Sequence, residues 1–171
     1  MKKQTAIIAA LLVLLTGCAT HKYTPKAKFD EAATQDLLKD GPNSIKGSAL
    51  IRQGGGGVVT CAGQEALLAP ATAYQQERMF ALYGNFYSGY NPAFGGRQVE
   101  FQGEDPGYKY LIKRTTCDAQ GSFKFEKIAD GDFYVVAVVL WKTDPYFYQG
   151  GTLMQRVTVK GGETKEIVLA P

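Results

Sequence analysis

The chain has 171 residues and a formal net charge of +3, with 45% hydrophobic and 20% charged residues. This length suits one domain with a sizeable core, and 20 Gly indicate a fold with many turns. The charge is too small to indicate a nucleic-acid partner or electrostatic binding to anionic lipid.

The first residues have the pattern of an export signal. Lys2 and Lys3 give a positive start, and the apolar core over residues 6–15 is too short to span a membrane. Residues 15–18, Leu-Thr-Gly-Cys, follow at once and resemble a bacterial lipobox. The resemblance implies a signal peptide over residues 1–17 and a lipidated Cys18 as the first mature residue. An ordinary secretory signal with a chance Cys is the alternative.

Ala19 bears on the location of the anchored protein. In the lipoprotein family an Asp directly after the lipidated Cys favours the inner membrane, so Ala19 implies the outer membrane, with either face open. Several acyl chains on one residue anchor stably, at roughly 0.8 kcal/mol per buried CH₂. Loss of Lys2 and Lys3 with the signal lowers the net charge to +1. The implied partner is therefore a membrane reached through the lipid.

Residues 18–43 are expected to hold the anchor, a polar tether over 19–28 and a short helix. Phe29, Ala33 and Leu37 fall near one helical face, and Gly41-Pro42 gives a stop signal. A helix of this length is marginal alone and must dock on the domain to persist. A disordered spacer is the alternative.

The first predicted strands frame a run of four glycines. Residues 45–51 and 65–69 are expected to be strands, with a strand-like segment at 58–61 between them. The glycines in residues 53–57 are expected to form a hairpin tip. A phosphate-binding loop is disfavoured because no Lys-Ser/Thr and no helical pattern follow.

A second helix is possible over residues 73–83. Thr72 and Gln75 have the spacing of a capping box, although the apolar pattern behind them is blurred. Arg78 lies among aromatic residues in this segment. Stacking on a ring is possible there, but a solvated guanidinium is the favoured expectation.

Residues 84–107 are expected to form a long aromatic loop that interrupts the sandwich pattern. Tyr87, Tyr90 and Phe94 lie among Gly, Asn, Ser and Pro, a composition typical of binding loops that carry rigid aromatic anchors. The alternative is that these rings fold back and cover one face of the domain. We therefore take the three residues as candidate binding residues.

The stretch from Thr115 to Trp141 organises the rest of the chain. Residues 118–121, Asp-Ala-Gln-Gly, have the residues of a type I turn, and Phe123 and Phe125 then alternate with polar residues as in a half-buried strand. The unbroken apolar run from Phe133 to Trp141 predicts a central strand covered on both faces.

The chain on either side completes the expected sheet. Residues 108–116 should re-enter it, and residues 143–151 should form a second aromatic loop. The last strands are expected at 152–159 and 163–169, joined as a hairpin by Gly161-Gly162.

The stretch from 115 to 141 resembles the signature of carboxypeptidase regulatory-like domains. The resemblance is carried by Thr-Thr-Cys-Asp-Ala-Gln-Gly-Ser-Phe-Lys-Phe, the Asp-Gly turn at 130–131 and the following Phe-Tyr-Val-Val. It implies an all-β, transthyretin-like (prealbumin-like, Ig-like) β-sandwich over residues 44–171. It also implies a non-catalytic role, because the regulatory domains are companions of the catalytic ones, and fold alone does not carry chemistry.

Two cysteines remain once Cys18 carries the lipid. Cys61 and Cys117 are an even pair in an oxidising compartment, which predicts a disulfide. Two buried free thiols are the alternative. A zinc site is disfavoured because two Cys without a nearby His do not make a ligand set.

The sequence offers little for catalysis. The one His, His21, lies outside the expected domain, so a Ser-His-Asp or Cys-His arrangement is disfavoured. Glu100, Glu104 and Asp105 lack the spacing of a calcium loop. We expect no enzymatic activity, no cofactor, no metal and no nucleic-acid partner.

The favoured function is a non-catalytic binding or scaffolding lipoprotein of the cell envelope, whose partner is an unknown envelope protein or glycan. The alternative is a carbohydrate- or peptidoglycan-binding module that uses the loop over residues 84–107. A hydrolase that uses the turn carboxylates Asp118, Asp130 and Asp132 is a third hypothesis, disfavoured because Asp is expected at turns for backbone reasons.

Overall fold

A computed structural model describes residues 20–171, and the signal peptide, Cys18 and Ala19 lie outside the described residues. Within this range the chain alternates mainly between strands, with two α-helices and one 3-10 helix. The elements in chain order are β1 His21–Tyr23, α1 Glu31–Leu38, β2 Asn43–Arg52, β3 Val58–Thr60, β4 Glu65–Pro70, α2 Ala73–Tyr83, β5 Ser88–Pro92, β6 Val99–Phe101, the 3-10 helix Pro106–Tyr110, β7 Lys113–Thr116, β8 Ser122–Ile128, β9 Gly131–Asp144, β10 Phe147–Val159 and β11 Thr164–Leu169.

The architecture is an all-β sandwich, as the sequence predicts. One sheet has the strand order β5-β10-β9-β4-β7, and the other pairs β2 with β3, β8 and β11. The core between the sheets takes side chains from both of them, including Ile45 and Phe123 from one sheet and Phe133, Val135 and Leu153 from the other. These side chains are almost wholly buried, so the hydrophobic driving force is concentrated between the two sheets.

Strand β9 has the central position that its apolar sequence predicts. It lies between β10 and β4, and its residues Phe133, Val135, Ala137 and Val139 are buried in the sandwich core. The opposite face of β9 is covered differently: Tyr134 packs there with residues of α2 and β10 in a second, smaller cluster. Helix α2 thus covers the outer face of the five-stranded sheet.

Both predicted helices form, and α2 begins at the predicted Thr72 signal, whereas α1 begins at a cap, Asp30, that the sequence analysis did not use. The Asp30 side chain accepts from the Ala33 N–H at the start of α1, and the Thr72 hydroxyl accepts from the Gln75 N–H at the start of α2. Helix α2 ends at Gly84, whose φ of 70° lies in the left-handed region that favours glycine. The predicted hairpin tip at residues 53–57 also forms, closed by a hydrogen bond from Gln53 N–H to the Gly57 carbonyl.

The predicted disulfide is present. Cys61 follows β3 in one sheet, and Cys117 follows β7 at the edge of the other. The bond therefore ties the two sheets together across 56 residues of sequence.

The long-loop prediction for residues 84–107 is wrong in part. Residues Ser88–Pro92 form β5, an edge strand that pairs antiparallel with β10, and Val99–Phe101 form β6. Gly151 allows this pairing, because a Cβ there would lie 2.2 Å from the Asn91 carbonyl oxygen. Gly89 allows α2 to pack against β5, because a Cβ there would lie 2.7 Å from the Tyr83 Cβ. Such an edge strand depends on its partner rather than on its own apolar pattern.

Two further predictions of connections need correction. Residues 143–151 are not mainly a loop, because β9 runs to Asp144 and β10 begins at Phe147. Strands β10 and β11 do not pair as a hairpin, since β11 runs parallel to β2 in the other sheet. The crossing is fixed by Asn43, whose side-chain oxygen accepts from the Gly162 and Glu163 N–H groups at 2.8 and 3.0 Å.

The segment expected to be a free tether is docked on the domain; we call residues 20–29 the strap. Its strand β1 pairs parallel with β6, and the His21 N–H donates to the Gln98 carbonyl at 2.7 Å. Tyr23 packs edge-on against Phe101 at 6.0 Å between ring centroids. The chain therefore joins the body of the protein directly at the start of the described range.

Candidate functional site

The structure does not bring all three candidate binding residues together. Tyr87 precedes β5 and is 69% exposed, with its carbonyl accepting from the Arg156 N–H at 2.7 Å. Tyr90 is half-buried against the sandwich core, and its hydroxyl donates to the Gly150 carbonyl at 2.9 Å. Phe94 is 75% exposed in the turn after β5. Tyr90 and Phe94 line one surface cavity, and Tyr87 does not.

This cavity, which we call the aromatic cleft, lies at the end of the sandwich where β5 meets the β9–β10 hairpin. It has a volume of about 270 Å³ and is lined by Tyr90, Pro92, Phe94, Trp141, Gln149 and Gly150. Phe147 extends the aromatic surface beyond it, with its ring centroid 6.3 Å from that of Phe94. The two aromatic segments of the sequence thus lie at the same end of the molecule.

Trp141 is the cleft residue that sequence reasoning missed. The apolar run assigned it to the interior of the central strand, whereas it lies at the solvent end of β9, half-buried, opposite Gln149 of β10. The signal was available in the alternation of β9. Trp141 lies on the same face of β9 as the core residues Phe133, Val135, Ala137 and Val139. The exposed Lys142 follows it, which indicates that the buried part of the strand ends there.

Gly150 shapes the floor of the cleft. Its φ is 96°, and a Cβ there would lie 2.0 Å from the Val139 carbonyl oxygen and 2.9 Å from the Trp141 ring. Its carbonyl accepts from both the Tyr90 hydroxyl and the Ala93 N–H. The glycine lets the Trp141 ring lie close to β10 while its carbonyl holds the strand that carries Phe94.

A second and larger cavity, which we call the helix cavity, lies between α2 and the outer face of the five-stranded sheet. Its volume is about 460 Å³. Its floor and roof are mainly apolar, formed by residues of β4, β9, α2 and the segment before β7: Leu67, Ala69, Met79, Leu82, Ile112, Val136 and Leu140. Its polar lining includes Arg78, Arg97, Gln98 and Tyr83. Burial raises the pKa of Tyr83 to about 12, so its hydroxyl stays neutral and donates to Thr152 Oγ1.

The prediction that Arg78 is solvated is wrong. Its side chain is 9% exposed, with the guanidinium carbon 3.8 Å from the Phe101 ring centroid and 4.2 Å from that of Tyr108. One terminal nitrogen lies 3.0 Å from Glu104 Oε1, and the other donates to the Tyr74 hydroxyl. Nε is buried and has no hydrogen-bond partner among residues 20–171.

The acidic residues considered for calcium are used in local contacts. Glu104 pairs with Arg78, Asp105 caps the 3-10 helix by accepting from the Gly107 N–H, and Glu100 accepts from Gln102. Among residues 20–171, His, Cys, Asp and Glu form no group of three or more with the proximity of a metal site. The described helices also include none long and apolar enough to cross a bilayer.

The turn carboxylates are likewise held by neighbouring donors. Asp118 accepts from the Gln120 and Ser122 N–H groups. A hydrogen bond from Asn43 and one from the Gly161 N–H lower the pKa of Asp130. Hydrogen bonds from Thr158 and Arg156 lower the pKa of Asp132.

The fold is similar to that of one solved protein. The crystal structure of a putative carbohydrate binding protein from Pseudomonas aeruginosa superposes with a TM-score of 0.69 and 23% sequence identity. The match covers 85% of this chain and 99% of that chain. No protein-family model and no curated protein matches the sequence. At this identity the likeness shows the shared fold alone, and the resemblance to carboxypeptidase regulatory-like domains stays a prediction.

Proposed function

We propose that the chain is a non-catalytic binding protein of the cell envelope that holds carbohydrate in the aromatic cleft. The observation that carries the proposal is the convergence of Tyr90 and Phe94, from β5 and the turn after it, with Trp141 of β9 on one surface cavity. The description of the structural neighbour as a putative carbohydrate binding protein supports the same class of ligand.

The chemistry of the cleft suits a sugar ring. Aromatic faces offer flat apolar surface to the C–H face of a pyranose and exclude water from it. Gln149, exposed at the cleft wall, offers an amide that can both donate to and accept from hydroxyls. The Tyr90 hydroxyl is already bonded to Gly150, so Tyr90 contributes its ring rather than its polar group.

The absence of catalysis is part of the proposal. The turn carboxylates that a glycosidase mechanism would need are engaged by Asn43, Arg156, Thr158 and backbone N–H groups. Their pKa values, where perturbed, are lowered, whereas a general acid at neutral pH needs a raised one. These carboxylates therefore act as structural acceptors in the proposed function.

The location is also proposed. The lipobox resemblance at residues 15–18 supports acylation of Cys18, and Ala19 supports the outer membrane. The docked strap adds a consequence: a lipid at Cys18 would be three residues from His21, so a span of about 10 Å at most would separate the anchor from β1. Replacement of Cys18 by Ser should release the protein from the membrane fraction and abolish acyl labelling. Retention of the acyl label would exclude Cys18 as the site.

The sugar-binding proposal is tested with the full chain purified from membranes in detergent. A glycan array that includes peptidoglycan fragments identifies a ligand, and calorimetry measures its Kd. The Phe94→Ala and Trp141→Ala variants should each weaken binding by roughly 5- to 150-fold, if a sugar ring stacks on them about as strongly as a nucleic-acid base stacks on an aromatic side chain, about 1–3 kcal/mol. Tyr146→Ala is the matched control, because Tyr146 is 92% exposed and lies outside the cleft lining.

Three outcomes would overturn the proposal. One is the absence of any bound saccharide at millimolar concentration. Another is equal weakening by Tyr146→Ala and Trp141→Ala, which would indicate a diffuse aromatic surface. The third is turnover of a bound glycoside, which would exclude a purely binding role.

A further inference from the structure

The side chains that line the helix cavity have no role in the proposed sugar binding. Its floor is the outer face of the five-stranded sheet, with Val136 and Leu140 of β9 beside Leu67 of β4, and its roof is the Met79 and Leu82 side of α2. At about 460 Å³ it falls within the range of small-molecule sites, about 300–1,000 Å³. The aromatic cleft is a neighbouring cavity that shares Pro92 with the helix cavity, but its aromatic residues Tyr90, Phe94 and Trp141 line only the cleft.

The charged groups that line this cavity have one sign. Arg78 and Arg97 contribute to the lining, and no Asp or Glu does. Arg78 is paired with Glu104, whereas the Arg97 side chain forms no ion pair with any residue in the range 20–171. Tyr83 and Tyr108, the other titratable residues of the lining, have pKa values raised by burial and stay neutral. An anion at the Arg97 guanidinium would therefore meet no opposing charge from the cavity wall.

Arg97 is an exposed residue whose backbone is fixed by Asn91. Its backbone N–H donates to Asn91 Oδ1 at 2.7 Å, and its carbonyl accepts from Asn91 Nδ2 at 3.1 Å. Its guanidinium packs over Gly84 at the C-terminal end of α2, where a Cβ would lie only 2.7 Å from Nη2. The cation is thus held between the end of the helix roof and the strand beside the cavity.

We propose that the helix cavity binds a small amphipathic carboxylate, with its acyl chain on the apolar floor between Val136 and Leu82 and its carboxylate on the Arg97 guanidinium. The site is independent of sugar binding in the aromatic cleft. The ligand class is set by the pairing of an apolar interior with unopposed positive charge at the lining. A neutral sugar would leave the apolar walls of this cavity without a matching surface.

The test uses decanoate as the probe and the full mature chain carrying Cys18→Ser, which leaves residues 20–171 unchanged and requires no detergent. Calorimetry compares decanoate with decanol, which has a similar chain and no charge. Decanoate should bind at least 10-fold more tightly than decanol. Arg97→Gln should remove most of that difference, because a hydrogen bond to a charged group contributes more than a neutral one. Decanol binding should not change.

Three more variants distinguish binding in the helix cavity from binding elsewhere on the protein. Arg52→Gln removes an exposed Arg from β2, in the other sheet, and should leave decanoate binding unchanged. Leu82→Trp fills the cavity and should abolish binding of both probes, while Trp141→Ala in the aromatic cleft should affect neither. Failure of either probe to bind, or equal binding of decanoate and decanol with no effect of Arg97→Gln, overturns the proposal. If Leu82→Trp does not fold, the comparison of the two probes with Arg97→Gln decides.

Discussion

The Tyr23 hydroxyl donates a hydrogen bond to Glu77 Oε2 at 3.1 Å, and this contact joins the strap to helix α2. The same carboxylate accepts from the Lys26 and Ala27 N–H groups at 2.7 and 2.9 Å. Three donors from one extended segment therefore meet a single side chain. The strap is therefore held by the Glu77 carboxylate, and a substitution at Glu77 removes this contact without changing a residue of either sheet.

The strap should open when Glu77 is replaced by Ala. The loss of three hydrogen bonds frees the backbone beside Lys22, Lys26 and Lys28, whose side chains are already exposed. Trypsin cleavage there should become at least roughly threefold faster, since local opening governs proteolysis. Limited proteolysis with mass spectrometry measures the rate. Glu166→Ala, which removes an exposed carboxylate from β11, is the control and should leave the rate unchanged. An unchanged rate in Glu77→Ala would mean that β1–β6 pairing alone holds the strap.

The same contact should be sensitive to pH. The hydrogen bond from the Lys26 N–H, with those from Ala27 and Tyr23, lowers the pKa of Glu77 below its ordinary value of 4.5. Because the pKa is lower in the docked state, docking is stabilised above pH 4.5, and this contribution is lost as pH falls through the lowered value. The protection of residues 21–28 from hydrogen exchange, measured relative to the intrinsic exchange rate at each pH, should therefore fall below that pH in the wild type but not in Glu77→Ala. The same acid dependence in both proteins would assign the effect to another group.

The buried Arg78 side chain should contribute to the free energy of unfolding, although burial of a charged group is costly in itself. Arg78→Ala removes the ion pair with Glu104 and the contacts with two aromatic rings, and leaves a cavity beside Tyr108. We expect a loss of about 2–4 kcal/mol in the free energy of unfolding, measured by urea denaturation. Arg78→Lys should also be destabilising, because an ammonium cannot reproduce the planar guanidinium between Phe101 and Tyr108. A change below about 0.5 kcal/mol, as expected for Arg52→Ala on the surface, would contradict this role.

Local sequence signals were sufficient for the elements whose determinants are neighbours in the chain. The Thr72 and Gln75 pair predicted helix α2 over residues 73–83, which is where it forms. The alternation around Phe123 and Phe125 predicted β8 with both rings inward. In each case the residues that fix the backbone lie within a few positions of one another.

Non-local contacts decided the features that the sequence did not reveal. Strand β5 has no apolar alternation and forms because residues 151–155 of β10 pair with it. Arg78 is buried because Phe101 and Tyr108, more than twenty positions away, enclose it. The aromatic cleft needs Trp141 beside Phe94, and the registers of β10 against β9 and of β10 against β5 place them together.

The disulfide should contribute strongly to stability. Cys61 and Cys117 close a loop with a sequence separation of 56, for which the chain-entropy model gives roughly 4 kcal/mol. The double variant Cys61→Ala and Cys117→Ala should lower the free energy of unfolding by about 2–4 kcal/mol in urea denaturation. The wild type with its disulfide reduced keeps both cysteine side chains, so it controls for the packing that the two Ala substitutions remove. Equal midpoints for the oxidised and reduced proteins would show that the bond does not limit unfolding.

Asn43 should be among the most sensitive positions in the sandwich. Its side chain is 1% exposed and fully engaged: Nδ2 donates to the Ile128 carbonyl and Asp130 Oδ1, and Oδ1 accepts from two backbone N–H groups of the β10–β11 connection. The isosteric Leu removes all four hydrogen bonds, and each contributes about 0.5–1.5 kcal/mol net. Asp130 keeps the bond from the Gly161 N–H, whereas the Ile128 carbonyl lies in the interior.

We therefore expect Asn43→Leu to cost at least about 3 kcal/mol and to release β11 before the rest of the fold. Urea denaturation measures the total, and hydrogen exchange at residues 164–169 measures local release. Asn43→Asp is the informative partner variant. It keeps the acceptor for Gly162 and Glu163 but places a second carboxylate beside Asp130, so its destabilisation should shrink as pH falls and one of the two carboxylates becomes protonated. A pH-independent loss in Asn43→Asp would mean that the donated hydrogen bonds, rather than repulsion from Asp130, dominate at this site.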